Sequence, residues 1–474
     1  MTVRRLVAIA LCVAAALPLR AQPMAAAVAG HWRSDAASAA AGGTLAPMPL
    51  LGEARAHTPT SLPLRPTGEV ALEVGHTVPF TYVQGRRYFV ELTQDSREAR
   101  ATVPLAADPA DARWWLGWSA TDTHAFLYHR DRWLDDRAQA DGTGTTLALA
   151  WKSGGWTLGA ARHDADLSGL ATGQNLADIL GVRRGHERAE FAWDGRADTF
   201  GAQYDCEAWT GGLQLSERDD SAHVLTEISG SPFSGLFATD TRTLDAWVAR
   251  GPADERYFAY VTRSEIDPAP SAIASGDAIR GRTSLSGEST VIGIGRRRTG
   301  ERPTEHIELS WIEHSLDFSG RFSDGVLGSV DGQMTAQAHA GASTIAARYG
   351  QTRSLGAWRY TLAASAMHTD LRFHARAVDS PGPFLAPDWE WEERLTGGEG
   401  WVGSLALGVG REVDGWQIDA LYTLLGGDTW GHFRDMTEAG EASTAARIPP
   451  APDTGPSPHL DLGWTFAVQV SREL

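Results

Sequence analysis

The chain has 474 residues, enough for two or three soluble domains or one large barrel, and its net charge of −17 argues against nucleic acid as a partner. Glycine (51) and tryptophan (18) are abundant and amphipathic helical patterns are hard to find, which favours an all-β architecture. No stretch holds 18 uninterrupted apolar residues, so no helical membrane span is expected.

The first residues carry a secretory pattern. MTVRR supplies positive charge, LVAIALCVAAALPL is an apolar run, and Leu19-Arg20-Ala21 offers a small-residue cleavage site. Residues 1–21 are therefore expected to leave, and the mature chain to begin near Gln22. Cys12 lies inside the apolar run, so Cys206 would be the only cysteine of the mature chain and no internal disulfide could form. Residues 22–65 are rich in Ala, Pro and Gly and are expected to be a flexible or loosely docked segment. From residue 66 the chain is expected to form one β domain to its end. Extended patterns begin at GEVALEVGHTVPFTYVQGRRYFVELT with an ambiguous register, and DPADARWWLGWS is too short to assign.

Hairpins follow. TTLALAWKSGGWTLGAAR, with Lys152–Gly155 as its loop, pairs Trp151 with Trp156 and Leu149 with Leu158. AEFAWDGRADTFGAQYD pairs Trp193 with Phe200 around a turn. LDAWVARGPADERYFAYV fits two registers equally well. STIAARYGQTRSLGAWRYTLAASA, with an eight-residue connection, pairs Tyr349 with Trp358. In GSLALGVGREVDGWQIDALYTLLG, Asp414-Gly415 is a strong two-residue hairpin signal. Val413 then faces Trp416, and Leu405, Leu407 and Val409 share an apolar face with Leu424, Tyr422 and Ala420.

In each resolved hairpin the apolar pair nearest the turn contains a large aromatic. Trp151, Trp156, Trp193, Phe200, Tyr349, Trp358 and Trp416 are expected to form an aromatic girdle at one membrane interface. Strands of about ten residues match the thin apolar band of such barrels. Arg411 interrupts the outward face two residues from the turn and is expected to snorkel. The last strand, HLDLGWTFAVQVSREL, alternates from Leu460 to Leu474, with Arg472 the only misfit. The Pro-rich stretch from Asp428 to Pro458 would be an external loop, and short turns would lie on the periplasmic side.

The signal sequence, the hairpins from about Thr145 to Ala366 and the apolar terminal strand resemble Gram-negative outer-membrane β-barrel proteins in general. That family's terminal signal usually ends in Phe or Trp, where this chain has Leu474. GGLQLSERDD, TRTLDAWVARG and STVIGIGRRR also resemble autotransporter translocator barrels, although strands from residue 145 leave little room for a folded passenger. The resemblance implies outer-membrane localisation, contact with lipid and lipopolysaccharide, and assembly by the barrel-assembly machinery through the C-terminal strand.

No nucleophile elbow, phosphate loop, dinucleotide fingerprint or zinc-type spacing occurs, and no cofactor is expected. EHIELSWIEHSLDF puts His306, Glu308, Ser310 and His314 on one strand face, a set that could support acyl transfer. Residues four apart in a strand are about 13 Å apart, however, so Ser310 and His314 could not bond directly and polar lining is the preferred reading. ARHDADLSG places His163 inward near the external rim, followed by Asp164 and Asp166; water activation or a divalent cation is weighed there against a solvated loop. HTDLRFHARAVD (His368, Asp370, His374) carries the same ambiguity.

The expected fold is all-β, a single transmembrane antiparallel barrel of about 12–16 strands. The leading functional expectation is a passive channel for small polar solutes, lined by Gln417, Asp419, Thr423, Asp461, Thr465 and Gln469. A translocator or structural surface barrel, and a hydrolase using Ser310, His314, His163 or Asp166, are the alternatives.

Overall fold

The computed structural model describes residues 69–84, 88–106, 113–130, 134–175, 186–228, 231–252, 254–268, 271–275, 279–298, 304–324, 332–380, 389–435 and 459–473. The expected signal sequence, residues 22–65 and most of the Pro-rich stretch lie outside them. The strands are β1 (Glu69–Gln84), β2 (Tyr88–Pro104), β3 (Trp114–Arg130), β4 (Leu134–Ser153), β5 (Trp156–Asn175), β6 (His186–Asp205), β7 (Trp209–Ile228), β8 (Ser231–Arg250), β9 (Glu255–Pro268), β10 (Ser271–Ser275), β11 (Ile279–Arg298), β12 (Thr304–Asp324), β13 (Gly332–Leu355), β14 (Trp358–Ser380), β15 (Trp389–Val413), β16 (Trp416–Asp435) and β17 (His459–Glu473).

Each strand pairs antiparallel with its neighbours, and β1 pairs with β17, so the sheet closes. Strands β9 and β10 both lie between β8 and β11, two pieces of one interrupted strand. The result is a sixteen-strand barrel, at the upper end of the expected range. Closure removes the exposed edges that an open sheet would leave. Both ends of the sheet, Glu69 and Glu473, face each other at the rim that carries the two-residue turns 154–155, 356–357 and 414–415.

The Asp414-Gly415 hairpin forms as read: Val413 pairs with Trp416 and Leu405 with Leu424. Asp414 and Gly415 have φ of 53° and 79°, the left-handed pair that a tight hairpin needs. The fifth hairpin settles on one register, with Arg250 opposite Tyr257 and Trp247 opposite Tyr260. DPADARWWLGWS leads into β3 at Trp114.

Three hairpin assignments are corrected. Residues 145–162 turn at Gly154-Gly155 (φ 57° and 84°), so Ser153 faces Trp156 and Trp151 faces Leu158. Lys152 belongs to the strand because two glycines already complete the turn. Residues 343–366 turn at Gly356-Ala357, so Leu355 faces Trp358 and Tyr349 faces Ala364; the longer connection is absorbed into the ladder. Residues 189–205 form no hairpin at all. They are one continuous strand, held by β5 on one side and β7 on the other. A Cβ on Gly195 would lie 2.4 Å from the Trp193 ring, so this glycine serves close approach and not a turn.

Most strands run about twenty residues, twice the expected length, and their polarity reverses along the way. On β6 the outward residues nearest the short turn are Tyr204, Ala202 and Phe200, followed by Asp198, Arg196 and Asp194. The inward residues are Gln203, Gly201 and Thr199, followed by Ala197, Gly195 and Trp193. On β12 the outward series is Ile307, Leu309, Trp311, then Glu313, Ser315, Asp317; the inward series is His306, Glu308, Ser310, later Leu316 and Phe318. The half beside the short turns is thus apolar outside and polar inside, which suits lipid around a wet interior. The other half is charged outside with apolar clusters inside, such as Leu167 with Trp193 and Phe318 with Ala338, which suits water around a packed wall.

The apolar band has two aromatic edges. Trp114, Trp156, Tyr204, Trp209, Tyr257, Trp358 and Trp416 mark the short-turn edge, and Trp311, Trp401 and Trp464 the other. On β17, Arg472 and Trp464 are eight residues apart. At roughly 3.3 Å per residue and a tilt of about 40°, the band is about 20 Å tall, close to the roughly 25 Å of outer-membrane barrels.

Beyond it lies a charged collar. Arg162, Arg196, Arg242, Arg263 and Arg372 each meet one or two carboxylates on the outer face, including Arg196 Nε to Asp164 Oδ1 at 3.0 Å and Arg263 Nη2 to Glu265 Oε1 at 2.8 Å.

Candidate functional site

The inner wall of the short-turn half holds buried carboxylates, and three of them are each gripped by donors from neighbouring strands. Asp245 of β8 stands directly between Gln214 of β7 and Thr262 of β9. Gln214 Nε2 donates to it at 2.9 Å and Thr262 Oγ1 at 2.7 Å. Asp419 of β16 receives two contacts from Arg359 Nη2 at 2.7 and 2.9 Å, and Gln417 Nε2 donates at 2.8 Å. Arg359 comes from β14 and reaches across β15 at Gly410, where there is no side chain to block it.

Glu308 anchors the largest set. The Tyr260 hydroxyl donates to it at 2.8 Å, His306 Nε2 lies 3.2 Å away, and Arg348 forms an ion pair with it. Phe258 stacks on His306 with ring centroids 5.4 Å apart. Three strands contribute side chains, β9, β12 and β13, and Tyr260 crosses Gly293 of the intervening β11 to reach Glu308. Each carboxylate is therefore charge-compensated or hydrogen-bonded where it stands, the condition under which a buried acid is tolerated.

Among the expected lining residues, Asp419, Thr423 and Gln469 are inward and fully buried, and Gln417 is half-buried on the same face. Asp461 and Thr465 pair within β17, opposite Thr81 and Thr77; their side chains lie outside the described residues.

The aromatic set is partly redrawn. Trp156, Phe200, Trp358 and Trp416 are outward and exposed, and Trp151 and Tyr349 are half-buried. Trp193 is only 4% exposed and faces inward, because its strand passes the polarity reversal before reaching it.

Of the weak catalytic candidates, Ser310 lies inward beside the Tyr260 hydroxyl, and His314 stands four residues further along the same strand, beyond Ile312. No hydrogen bond joins them among the described residues. His163 is not at a rim: it sits mid-strand in the wall, its Nδ1 2.9 Å from Thr146 Oγ1. Asp164 and Asp166 point to the opposite, outer side, where Asp166 accepts from Thr143 at 2.8 Å. His368 and Asp370 are also outward, 3.4 Å apart. Among the described residues no group of three His, Cys, Asp or Glu side chains is arranged to hold a metal.

Sequence reading missed Tyr260, Arg348, Arg359 and Asp245, whose partners lie 17 to 60 residues away. The one available signal was a glycine opposite two of them, Gly293 for Tyr260 and Gly410 for Arg359.

No protein-family model matches the chain, and no curated protein matches it in sequence. Solved structures that resemble it are Gram-negative outer-membrane β-barrels. The monoaromatic hydrocarbon channel TodX aligns at a TM-score of 0.39 and 11% identity, over 88% of this chain and 93% of that one. The ferric yersiniabactin uptake receptor FyuA from Yersinia pestis aligns at 0.36 and 9%, over 86% and 81%. The translocator domain of the autotransporter NalP from Neisseria meningitidis aligns at 0.26 and 14%, over 68% and 90%.

Proposed function

We propose that this protein is an outer-membrane channel for small polar solutes. The reading is carried by one observation: a closed sixteen-strand wall that is apolar outside and polar inside over the same membrane-thick band. A barrel of this strand number encloses room for an aqueous passage. Among the described residues, close contacts are concentrated between neighbouring strands, so the ladders hold the circumference. Arg348 and Arg359 balance Glu308 and Asp419, and Asp245 is held by neutral donors, so the inner wall suits uncharged or weakly charged solutes. Conductance of the purified protein in a planar bilayer tests the reading. Stepwise openings with weak ion selectivity are the expected result, and a silent bilayer containing correctly folded protein would overturn it.

A second reading, a translocator-type or structural barrel whose interior is occupied at rest, is favoured by the full burial of Asp419, Thr423 and Gln469 on the inner wall. It predicts no openings from the full chain and openings after removal of residues 22–65.

A further inference from the structure

We propose that the short-turn rim of the barrel is a docking ring for the phosphate groups of membrane phospholipids, built from three cross-strand arginine–tryptophan pairs. Arg250 stands directly opposite Trp209, Arg411 opposite Trp358, and Arg472 opposite Trp416. In each pair the guanidinium carbon lies over the indole ring, at 4.9, 4.9 and 5.5 Å from the ring centroid. All six side chains are outward and exposed, and they lie within a few residues of a turn or the chain end. Two pairs are adjacent, on β14–β15 and β16–β17. Arg472 is the residue that broke the terminal alternation, and Arg411 the one that broke the hairpin face, so both exceptions have one structural cause.

Charge separates these arginines from the collar. Collar arginines each have one or two carboxylate neighbours on the outer face. Arg250, Arg411 and Arg472 have no carboxylate within ion-pair distance among the described residues, in a chain carrying 59 acids against 42 bases. An indole face holds a guanidinium plane by its flat side and leaves the N–H edge free. That edge fits two oxygens of a phosphate. The neighbours on the apolar side are Val248, Ile418 and Val470, which suit acyl chains. A cation at the boundary of an apolar band, lying over an indole ring and without an acid, matches a lipid phosphate in depth and in charge. The inference rests on the apolar band facing lipid and is independent of what passes through the lumen.

The test uses detergent-solubilised full-length protein titrated with phosphatidic acid or with diacylglycerol of the same acyl chains, reading the temperature at which gel mobility changes. The expected result is a rise in that temperature with phosphatidic acid and none with diacylglycerol. The triple variant R250Q/R411Q/R472Q is expected to lose the rise, while R242Q/R263Q in the collar keeps it. Equal responses of the unaltered protein to both lipids overturn the proposal without any variant. Retention of the rise by the triple variant also overturns it. A rise produced by inorganic phosphate alone assigns the arginines to free phosphate and overturns the lipid source.

Discussion

The Tyr260 hydroxyl reaches Glu308 at 2.8 Å across the glycine of an intervening strand, tying β9 to β12 through a contact 48 residues long in sequence. Removing one member leaves the others without compensation. Glu308→Gln would leave Arg348 as a buried cation lacking its partner, at a cost of about 3–5 kcal/mol. Tyr260→Phe would remove a single hydrogen bond to a charged acceptor, about 1.5–3 kcal/mol. Denaturant unfolding of both variants is expected to rank them in that order, with non-additive losses in the double variant.

Gly293 is expected to tolerate no side chain while Tyr260 is present. A Cβ there would lie 2.2 Å from the phenol ring. Gly293→Ala should therefore lower stability by roughly the 1–3 kcal/mol of an overpacked site. Combined with Tyr260→Ala, its additional cost should shrink towards zero, which refolding yields and unfolding midpoints would measure.

The polarity reversal predicts opposite responses to charge on a single strand. Leu309 is 51% exposed in the apolar band, and Leu309→Arg should cost about 2–4 kcal/mol in a lipid bilayer. Ser319, outward on the same strand beyond the reversal, should accept Lys with a change under about 0.5 kcal/mol. Similar losses at both positions would mean that the whole outer face is in lipid.

Cys206 reports the orientation. It is exposed in the connection between β6 and β7, on the rim shared with Glu69 and Glu473. A membrane-impermeant maleimide is expected to leave it unlabelled in intact cells and to label it once the outer membrane is permeabilised. Labelling in intact cells would place the short turns outside.

Local chemistry determined much of this barrel before any tertiary contact. Alternation with period two marked the strands. Asp414-Gly415 set its own register, since only a turn with two left-handed residues matches the strand twist there, and the last strand followed from alternation alone. Strand length and the inner wall needed the tertiary structure. Alternation says which residues share a face, but it does not say where that face leaves lipid and enters water. By alternation alone, therefore, residues 194–199 read as a turn and Trp193 as a partner for Phe200, where the structure has a polarity reversal on one continuous strand. The grip of Tyr260 and Arg348 on Glu308, and of Arg359 on Asp419, depends on which strands become neighbours and on glycines that let long side chains cross them. That is a property of the closed sheet, in which each residue's environment is set by two flanking strands and not by its own sequence neighbours.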